Sequence, residues 1–469
     1  MKEAGSSKAT FDPAARRVVE APGIPRPPGW SSAVSAGQWV FVSGMMATDY
    51  RSGLTPDARI DERNPFVTDA LELQSKRSLS DITAILAAAG CDIRRDIIRA
   101  WQWFPSNYPT DAEFSAGRSL WPRFKSPLEG YTRLLKTMVG DSRRSSTGLG
   151  VRRLSIPGAL MAVDLLAVKQ QNGIEKVGIK GPPGTPYADL PFSPATRFGD
   201  WVFLAGFGAT DYAGDFMSER HMGEPSNIAP EARVNPYFLG GSEIEKQTDY
   251  TLRMLSKVAE AAGTSLDRCV KADVAIGHPG DFLGMDLIWR KWFPNNPPAR
   301  SVVTGAQLVM KGLRVEIAMQ LLASDSDLRR EAISADSVAP SFGNDPHAMR
   351  AGDLLFLSTQ LPIDQTGAVP PPLARNLAAP YFNNCPYAQT DYLLQKVAAI
   401  CETGGSSLGN ICKVQMFLDD MNILPSVLQA WREAFPVDPP ALTVLEMGGG
   451  QPLLVPGAHV QMDVIAYVP

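Results

Sequence analysis

The stretch Gln38-Trp-Val-Phe-Val-Ser-Gly44 occurs three times along this chain in recognisable form. It returns as Asp200-Trp-Val-Phe-Leu-Ala-Gly206 and again as Asp353-Leu-Leu-Phe-Leu-Ser-Thr359. Each copy is an apolar, β-branched and aromatic run that follows a glycine, which is the pattern of a buried strand after a tight turn. Repetition of this kind indicates an internal repeat, which has to be recognised before a fold is assigned.

The second and third copies also match each other downstream of this strand. Gln247-Thr-Asp-Tyr250 recurs as Gln389-Thr-Asp-Tyr392, and Pro297-Pro-Ala299 recurs as Pro439-Pro-Ala441, both at an offset of 142. The first copy follows the same order with small insertions and deletions. A single register held over this distance is hard to obtain by chance, so the chain is predicted to contain three homologous units.

Each unit shows the same succession of predicted elements. A strand pair is followed by a long loop, an amphipathic helix such as Thr248–Ala262, a strand, a second helix and a closing strand. This β-β-α-β-α-β order predicts an α+β fold with two helices on one face of a mixed sheet. Composition places an N-terminal arm at 1–25, repeats at 26–169, 187–323 and 341–469, and linkers at 170–186 and 324–340.

Length, charge and cysteine content narrow the class of protein. A chain of 469 residues with 44% hydrophobic residues supports several packed domains. The 45 basic and 49 acidic residues give no electrostatic footprint for nucleic acid, and no charge block or apolar run predicts contact with a membrane. Five irregularly spaced cysteines and no visible secretory leader are typical of a cytoplasmic protein, and no His/Cys spacing indicates a metal site.

Several short motifs occur in order along the second and third copies. They are Pro191-Phe-Ser-Pro-Ala195, Ala262-Gly-Thr-Ser-Leu266, Pro298-Ala-Arg300, Val315-Glu-Ile317 and Asp420-Met-Asn422. Their order resembles that of the RidA family, sometimes labelled endoribonuclease L-PSP, over about residues 29–468. The resemblance implies a chorismate-mutase-like α+β fold, three copies of which form a barrel-like trimer with clefts between subunits. We therefore expect an intramolecular pseudo-trimeric barrel, with further homo-oligomerisation left open.

The resemblance implies one intact catalytic pair, Arg300 and Glu316. In the family, the arginine of Pro-Ala-Arg grips a substrate carboxylate, and a glutamate on the last strand positions the hydrolytic water. A guanidinium binds carboxylate bidentately and stays charged when partly buried, and a carboxylate can orient water that attacks an imine carbon. In the third copy, Leu442 and Gln461 take these two places.

The first copy departs from the pattern in another way. Ala162 stands at the glutamate position. Arg143 is matched to the arginine of the second copy because both lie five residues before a glycine, and it is expected to bind substrate. The position that opens the family motif holds Trp30, Phe192 and Asp345 in the three copies, so aromatic substrate walls are expected in the first two.

Each copy also carries an Ala-Arg pair ahead of a Pro-aromatic pair in its long loop. The arginines are Arg59, Arg233 and Arg375. Loops carry function more often than the scaffold does, so these loops are predicted to cover the clefts and the arginines to bind an anionic substrate. The alternative is that each arginine holds its own loop by hydrogen bonds.

A basic residue recurs at one strand position, as Arg99, Lys271 and Lys413. A desolvated lysine can act as a nucleophile or base, but we expect strand-edge lysines with their heads in solvent. The neighbouring Cys269 and Cys412 are expected to be small buried hydrophobes.

These observations predict a hydrolytic deaminase of a small carboxylated enamine or imine, either a 2-aminomuconate-like intermediate of aromatic catabolism or a 2-imino acid. Water adds to the C=N carbon and the adduct expels ammonia, which requires no cofactor. One alternative is a ring-opening hydrolase of the cyanuric acid hydrolase type, whose serines are matched by Ser43 and Ser358 but not by Ala205. Another is a non-catalytic ligand-binding or assembly protein, which Leu442, Gln461 and Ala162 favour.

Overall fold

The computed structural model contains three successive α+β units. It describes residues 16–61, 63, 69–105, 127–140, 143–170, 173–182, 192–210, 228–234, 242–308, 312–376, 378, 383–447 and 453–469. The first unit comprises β1 Arg17–Val19, β2 Ala33–Ala36, β3 Trp39–Met45, α1 Ala70–Ala88, β4 Ile97–Pro105, α2 Pro127–Leu134, β5 Ser145–Val151, β6 Arg153–Leu154 and β7 Ala162–Val168. The second comprises β8 Lys176–Ile179, β9 Ala195–Phe198, β10 Trp201–Gly208, α3 Glu243–Ala261, β11 Cys269–Ile276, α4 Phe282–Trp292, β12 Ala299–Thr304 and β13 Val315–Leu322. The third comprises β14 Arg330–Ile333, β15 Ala348–Ala351, β16 Leu354–Leu357, α5 Cys385–Thr403, β17 Ile411–Leu418, α6 Leu424–Ala434, β18 Ala441–Glu446 and β19 Val460–Tyr467.

Each unit forms one mixed sheet in which a single strand pair is parallel. The strand orders are β1-β2-β3-β7-β4-β5, β8-β9-β10-β13-β11-β12 and β14-β15-β16-β19-β17-β18-β6. The parallel pairs are β4–β5, β11–β12 and β17–β18. In each unit the two helices pack against each other, and the first helix also packs on the sheet. This arrangement confirms the predicted α+β units.

Local sequence signals set the ends of the helices. The Ser242 hydroxyl before α3 accepts a hydrogen bond from the backbone N–H of Glu245, and acidic residues in the first turn complement the helix dipole. The helix stops before Gly263, whose φ of 75° favours glycine, as the sequence predicts. Leu252 and Leu255 belong to its buried stripe. Among the helices of the described residues, none combines the length and apolar character that a membrane span requires.

Three segments that composition marks as an arm or linkers contain edge strands. β1, β8 and β14 each pair antiparallel with the strand that follows them. They have three or four residues each and are largely half-buried or exposed, so they leave no periodic pattern in the sequence. The chain is therefore paired within the stretches that composition marks as an arm and linkers.

The three units contact one another in a cycle. β5 of the first unit lies against β10 of the second, β12 of the second against β16 of the third, and β18 of the third against β3 of the first. Gly150 and Gln307 exchange backbone hydrogen bonds across the first of these contacts. β6 of the first unit pairs with β18 of the third. We call the contacts the first–second, second–third and third–first interfaces.

Each basic residue at the recurring strand position pairs with a carboxylate of the next unit. The pairs are Arg99–Asp273 at 2.7 Å, Lys271–Asp463 at 2.6 Å and Lys413–Asp164 at 3.5 Å. We call them the ion-pair cycle. The three basic side chains are buried, so the expectation of lysine heads in solvent is wrong. This strand position faces the neighbouring unit, where a carboxylate and a backbone carbonyl replace the water around each lysine.

The second unit supplies its carboxylate from a different strand than the other two. Asp164 and Asp463 occupy equivalent places on the closing strands β7 and β19, where β13 has Ala318. Asp273 lies directly opposite Ala318 on β11. The carboxylate of the second unit therefore stands one strand away, yet it still reaches the basic residue of the preceding unit.

We expect Asp273→Ala to lower the free energy of unfolding by about 3–5 kcal/mol, because it leaves the buried guanidinium of Arg99 without its carboxylate. Adding Ala318→Asp to this variant should restore much of the loss, because position 318 is equivalent to Asp463, which pairs with Lys271. Chemical denaturation of both variants measures this. Ala318→Asp alone is the control and should destabilise the chain by burying an extra acid. A double variant no more stable than Asp273→Ala would contradict the equivalence.

Candidate functional site

Arg300, the predicted substrate anchor, is enclosed at the second–third interface. Its side chain is 0% exposed; Nη2 donates to Asp286 Oδ1 at 2.6 Å, and Nε donates to Asp345 Oδ2 at 3.0 Å. Asp286 lies on α4 of the same unit, whereas Asp345 belongs to the third unit. The rings of Trp289 and Phe282 lie 4.7 and 5.7 Å from the guanidinium carbon. Arg300 therefore holds an interface together in this structure.

Glu316, the predicted partner of Arg300, lies on the opposite face of the same sheet. Arg300 is in register with Ala272 of β11, and Glu316 is in register with Ala275. Because side chains alternate between the two faces along a strand, an odd separation of three residues sends them to opposite sides. The predicted catalytic pair is not assembled: Arg300 faces the third unit, and Glu316 faces the first.

The carboxyl group of Glu316 enters the first–second interface at a point where Gly206 leaves room for it. A Cβ atom on Gly206 would clash with Glu316 Oε1 and lie 3.0 Å from Thr147 Oγ1 of the first unit. The carboxyl and the hydroxyl therefore share one space. A cavity of about 20 Å³, enough for a water molecule, adjoins this point. Its walls include Trp101 and Trp103 of the first unit and Asp463 of the third.

Burial sets the protonation state of Glu316. The residue is 8% exposed, and its burial raises the pKa of the carboxyl from 4.5 to about 8. The carboxyl is therefore mostly protonated at neutral pH and can donate a proton. Thr147 Oγ1 is buried and has no hydrogen-bond partner among the described residues. A water molecule in the cavity would satisfy both groups.

Strand register identifies the residues that correspond at the three interfaces. The basic residues of the ion-pair cycle are in register with Ser145, Ala299 and Ala441. The next residue in each strand is therefore equivalent, which gives Ser146, Arg300 and Leu442. Arg143 lies three residues before Ser146, so its match to Arg300 is wrong. The match of Arg143 to Arg300 by its distance from a glycine fails because that distance does not determine the register of β5. The register is set by the pairing of β5 with β4.

Two arginines precede β5 at the first–second interface. Arg143 is exposed, and its aliphatic stem packs against Gly178 of β8. Arg144 is buried, and its carbonyl accepts a hydrogen bond from the Ser193 N–H at 2.8 Å. The half-buried Phe192, a predicted substrate wall, adjoins Ser193. Arg144 was not among the predicted site residues, and its position next to Arg143 is the only feature of the sequence that could have indicated it.

The third–first interface is sealed by apolar packing. Trp30 is 5% exposed and belongs to the same hydrophobic cluster as Leu442. Its ring meets Tyr50 edge-on at 6.0 Å. Trp431 Nε1 donates to the carbonyl of Gly29 at 2.8 Å and fixes the adjacent backbone. Trp30 is thus a core residue here, and it does not form the wall of an open cleft.

Two of the three loop arginines bond to the backbone of their own loops. Arg59 Nε donates to the carbonyl of Leu54 at 2.8 Å, and Arg233 Nε donates to that of Ile228 at 2.7 Å. Both bonds span five residues and close a short helical turn, which favours the structural alternative. Arg375 is exposed. The Pro-aromatic pairs that follow these arginines, at 65–66, 236–237 and 380–381, lie outside the described residues.

The recurring serines bind backbone across interfaces. Ser43 Oγ accepts from the Leu442 N–H at 2.8 Å, and Ser358 Oγ accepts from the Arg300 N–H at 3.2 Å. The lysine amines instead donate to Ser301 and Thr443. This geometry gives no support to a Ser–Lys hydrolase.

The remaining candidate ligands are buried thiols. Cys269 and Cys412 are free and buried, and burial raises the pKa of each to about 12, which confirms them as small hydrophobes. Within the described residues, no three His, Cys, Asp or Glu side chains are grouped to hold a metal ion.

The family model for Endoribonuclease L-PSP matches residues 184–322 and 338–468, which is more than half of the chain. The chain belongs to this family. The two matched segments correspond to the second and third units, and the first unit lies outside them. This agrees with the greater sequence divergence of the first unit.

Individual relatives of this family member match single segments of the chain. A RutC family protein of Pyrococcus horikoshii is 27% identical over 139 residues, covering 29% of this chain and 98% of its own. Reactive Intermediate Deaminase A, chloroplastic, of Arabidopsis thaliana is 25% identical over 190 residues, which cover 40% of this chain and 85% of that protein. RidA from an Antarctic Psychrobacter bacterium, known from a crystal structure, is 21% identical in sequence. The match has a TM-score of 0.24 and covers 29% of this chain and 99% of that chain.

Gly206→Ala should destabilise this family member by about 1–3 kcal/mol, because the new methyl group would occupy the space of the Glu316 carboxyl. Gly148→Ala is the matched control, since its methyl group would meet nothing nearer than 3.8 Å. Neither glycine has a positive φ, so the comparison isolates the contact. Thermal or chemical unfolding measures both variants. Equal effects would show that Glu316 is not held against Gly206.

The raised pKa of Glu316 should make stability fall as the pH rises. Between pH 4.5 and about 8 the unfolded chain releases this proton while the folded chain keeps it, so the free energy of unfolding decreases by up to about 1.4 kcal/mol per pH unit. Glu316→Gln cannot titrate and should lose this component. Unfolding of both chains at pH 5 and pH 8 measures the difference, and parallel pH dependence would show that Glu316 ionises normally.

Proposed function

We propose that the protein hydrolyses the C=N bond of a small carboxylated imine or enamine, such as a 2-imino acid or a 2-aminomuconate-like compound. Family membership supports this, as does the likeness to a relative named as a reactive intermediate deaminase. The observation that carries the proposal is the buried, protonated carboxyl of Glu316 at the first–second interface, beside a water-sized cavity that residues of all three units line.

The chemistry needs a group that gives and then takes a proton. A protonated Glu316 would donate to the imine nitrogen, which makes the carbon electrophilic. Water held in the cavity by Thr147 would add to that carbon and return a proton to the carboxylate. The carboxyl group passes this proton to the amino nitrogen of the tetrahedral adduct. The C–N bond then breaks, ammonia leaves, and the hydroxyl proton of the adduct returns to the Glu316 carboxylate as the carbonyl forms. A carboxyl group whose pKa is close to neutral pH serves both directions of transfer.

The substrate carboxylate would bind toward the start of β5. Arg143 places positive charge there, where its stem and Ser193 of the second unit both lie against Gly178, and the backbone of the buried Arg144 bonds to Ser193. The cavity beside Glu316 is too small for the substrate, so the substrate would lie between it and these residues. We further propose that the cyclic contacts of the three units close a pseudo-trimeric barrel, which brings both sides of this site together.

Glu316→Gln should lower the rate of ammonia release from 2-iminopropionate or 2-aminomuconate by about 10²–10⁴-fold, because the amide cannot transfer a proton. Gln461→Leu is the matched control, since Gln461 holds the equivalent position in the third unit and donates to the carbonyl of Val302. It should retain activity. If Glu316→Gln were as active as the original chain, the proposed site would be wrong.

A non-catalytic binding or assembly role is the second candidate. The closure of two interfaces by internal groups favours it, one by the ion pairs of Arg300 and the other by the packing of Trp30 near Leu442. Under this role, the folded chain would release no ammonia from either substrate, with or without Glu316→Gln. The same assay therefore separates the two candidates.

A further inference from the structure

A cavity of about 410 Å³ lies at the end of α1 in the first unit. It is bounded by Arg17 of β1, by residues 87–90 at the helix end, by Arg95 in the loop that follows, and by Lys169 and Gln170 after β7. A volume of this size falls within the range of sites that bind small organic molecules. The cavity shares no lining residue with the site proposed at Glu316.

The ends of the equivalent helices are covered differently in the three units. Gly90, Gly263 and Gly405 follow α1, α3 and α5, with φ of 81°, 75° and 80°. A Cβ atom on Gly263 would lie 3.6 Å from Arg197 Nη1, and one on Gly405 would lie 3.1 Å from Arg350 Nη1. A Cβ atom on Gly90 would meet nothing within 4 Å. An arginine therefore covers the helix end in the second and third units, and the first unit leaves this place open.

Strand register explains the open place. Arg197 of β9 and Arg350 of β15 hold the same register position against the strand that follows them, and Ser35 of β2 holds it in the first unit. A serine side chain is too short to cover the helix end. Lys169 approaches from the end of β7 instead, and its Nζ donates to Ser35 Oγ at 2.6 Å.

The lysine at this place is particular to the first unit. The backbone N–H of Lys169 donates to the carbonyl of the residue before β3, and those of Ala323 and Val468 make the same bond in their own units. The three positions are therefore equivalent, and the other two carry apolar side chains. The first unit has exchanged a covering arginine for a lysine at the edge of a cavity.

The described lining of the cavity carries three basic side chains and no acidic one. Burial, and after it the positive charge of Arg17, lowers the pKa of the Lys169 amine to about 8. The nearby Cys91 thiol stays neutral, because burial raises its pKa to about 12. Arg95 Nε and Nη2 donate to the buried Asp96, so that carboxylate is already neutralised. An anion in the cavity would compensate the remaining positive charge.

The helix end accounts for part of this charge but not for the cavity. Cations are favourable at the C-terminal end of a helix, and α1 has no basic residue in its last turn, so other elements supply them. In the second and third units one arginine does this and also fills the space. In the first unit the space stays open, and Ala87, Ala88 and Ala89 give it an apolar wall beside the basic groups.

We propose that this cavity binds a small organic phosphate, with the phosphate group held by Arg17, Arg95 and Lys169 and the organic part against the alanines of α1. A phosphate dianion offers three acceptor oxygens to three basic groups, and guanidinium groups bind it bidentately. A single carboxylate would satisfy fewer of them. The site is separate from Glu316, so this inference does not rest on the chemistry proposed there.

The test is isothermal titration of phenyl phosphate and of inorganic phosphate into the full chain at pH 8, with sodium chloride keeping the ionic strength constant. Phenyl phosphate should bind saturably at one site and more tightly than inorganic phosphate, because its ring covers apolar surface. It should also raise the unfolding midpoint. Titrations in Tris and in HEPES should reveal proton uptake on binding, because the dianion favours the charged form of Lys169.

Two variants remove one basic group each. Lys169→Met and Arg17→Gln should each weaken binding of phenyl phosphate by about tenfold or more, because a charge-assisted hydrogen bond is lost. Lys169→Met should also remove the proton uptake. Arg26→Gln is the charge-matched control and should keep the affinity, since Arg26 is exposed, pairs with Glu20 and does not line the cavity.

A double variant closes the cavity by copying the second unit. Ser35→Arg with Lys169→Ala reproduces the pair that Arg197 and Ala323 form there, and it should fold and lose the binding. The proposal is overturned if phenyl phosphate acts no differently from chloride on the original chain, or if this double variant binds as tightly as the original. Equal binding of benzoate would overturn the assignment to a phosphate. Because Arg17 is exposed, Arg17→Gln decides the matter if changes at Lys169 prevent folding.

Discussion

The ion-pair cycle is the constraint on which the arrangement of the units depends. The side chains of Arg99, Lys271 and Lys413 extend from their strands and each pair with a carboxylate of the next unit. All three are buried. Losing one partner leaves an uncompensated buried charge, which costs about 3–5 kcal/mol. The cycle therefore fixes which face of each unit meets its neighbour, and nonpolar packing alone would specify this less sharply.

Once the faces are fixed, the same strand positions meet at every interface, but they carry different chemistry. The second–third interface is ionic, with Arg300 and Asp345. At the position equivalent to Arg300, the third–first interface is apolar, with Trp30 in the same cluster as Leu442. The first–second interface holds Glu316, whose burial raises its pKa to about 8. Glu316 also borders a cavity large enough for a water molecule, which suits this carboxyl group to proton transfer.

The sequence predicts the features that local signals determine. The order of strands and helices and the stop at Gly263 follow from patterns within a few residues of each other, and the repeats follow from comparing such patterns along the chain. The split between Arg300 and Glu316 was not predictable in this way, because each side chain faces a different neighbouring unit. The burial of Lys271 was not predictable for the same reason, since the carboxylate that pairs with it belongs to Asp463, 192 positions further along the chain.

A single chain makes this asymmetry possible. In a symmetric trimer, every substitution appears at all three interfaces at once, so an aspartate opposite an arginine would close every cleft together. Here the place of Glu316 is taken by Ala162 in the first unit and Gln461 in the third, so the cost of burying a carboxyl group arises once. The fused chain can therefore use two interfaces for stability and leave the first–second interface for a buried, titratable group. This division explains why changes that would be losses in a symmetric assembly are compatible with the single site proposed at Glu316.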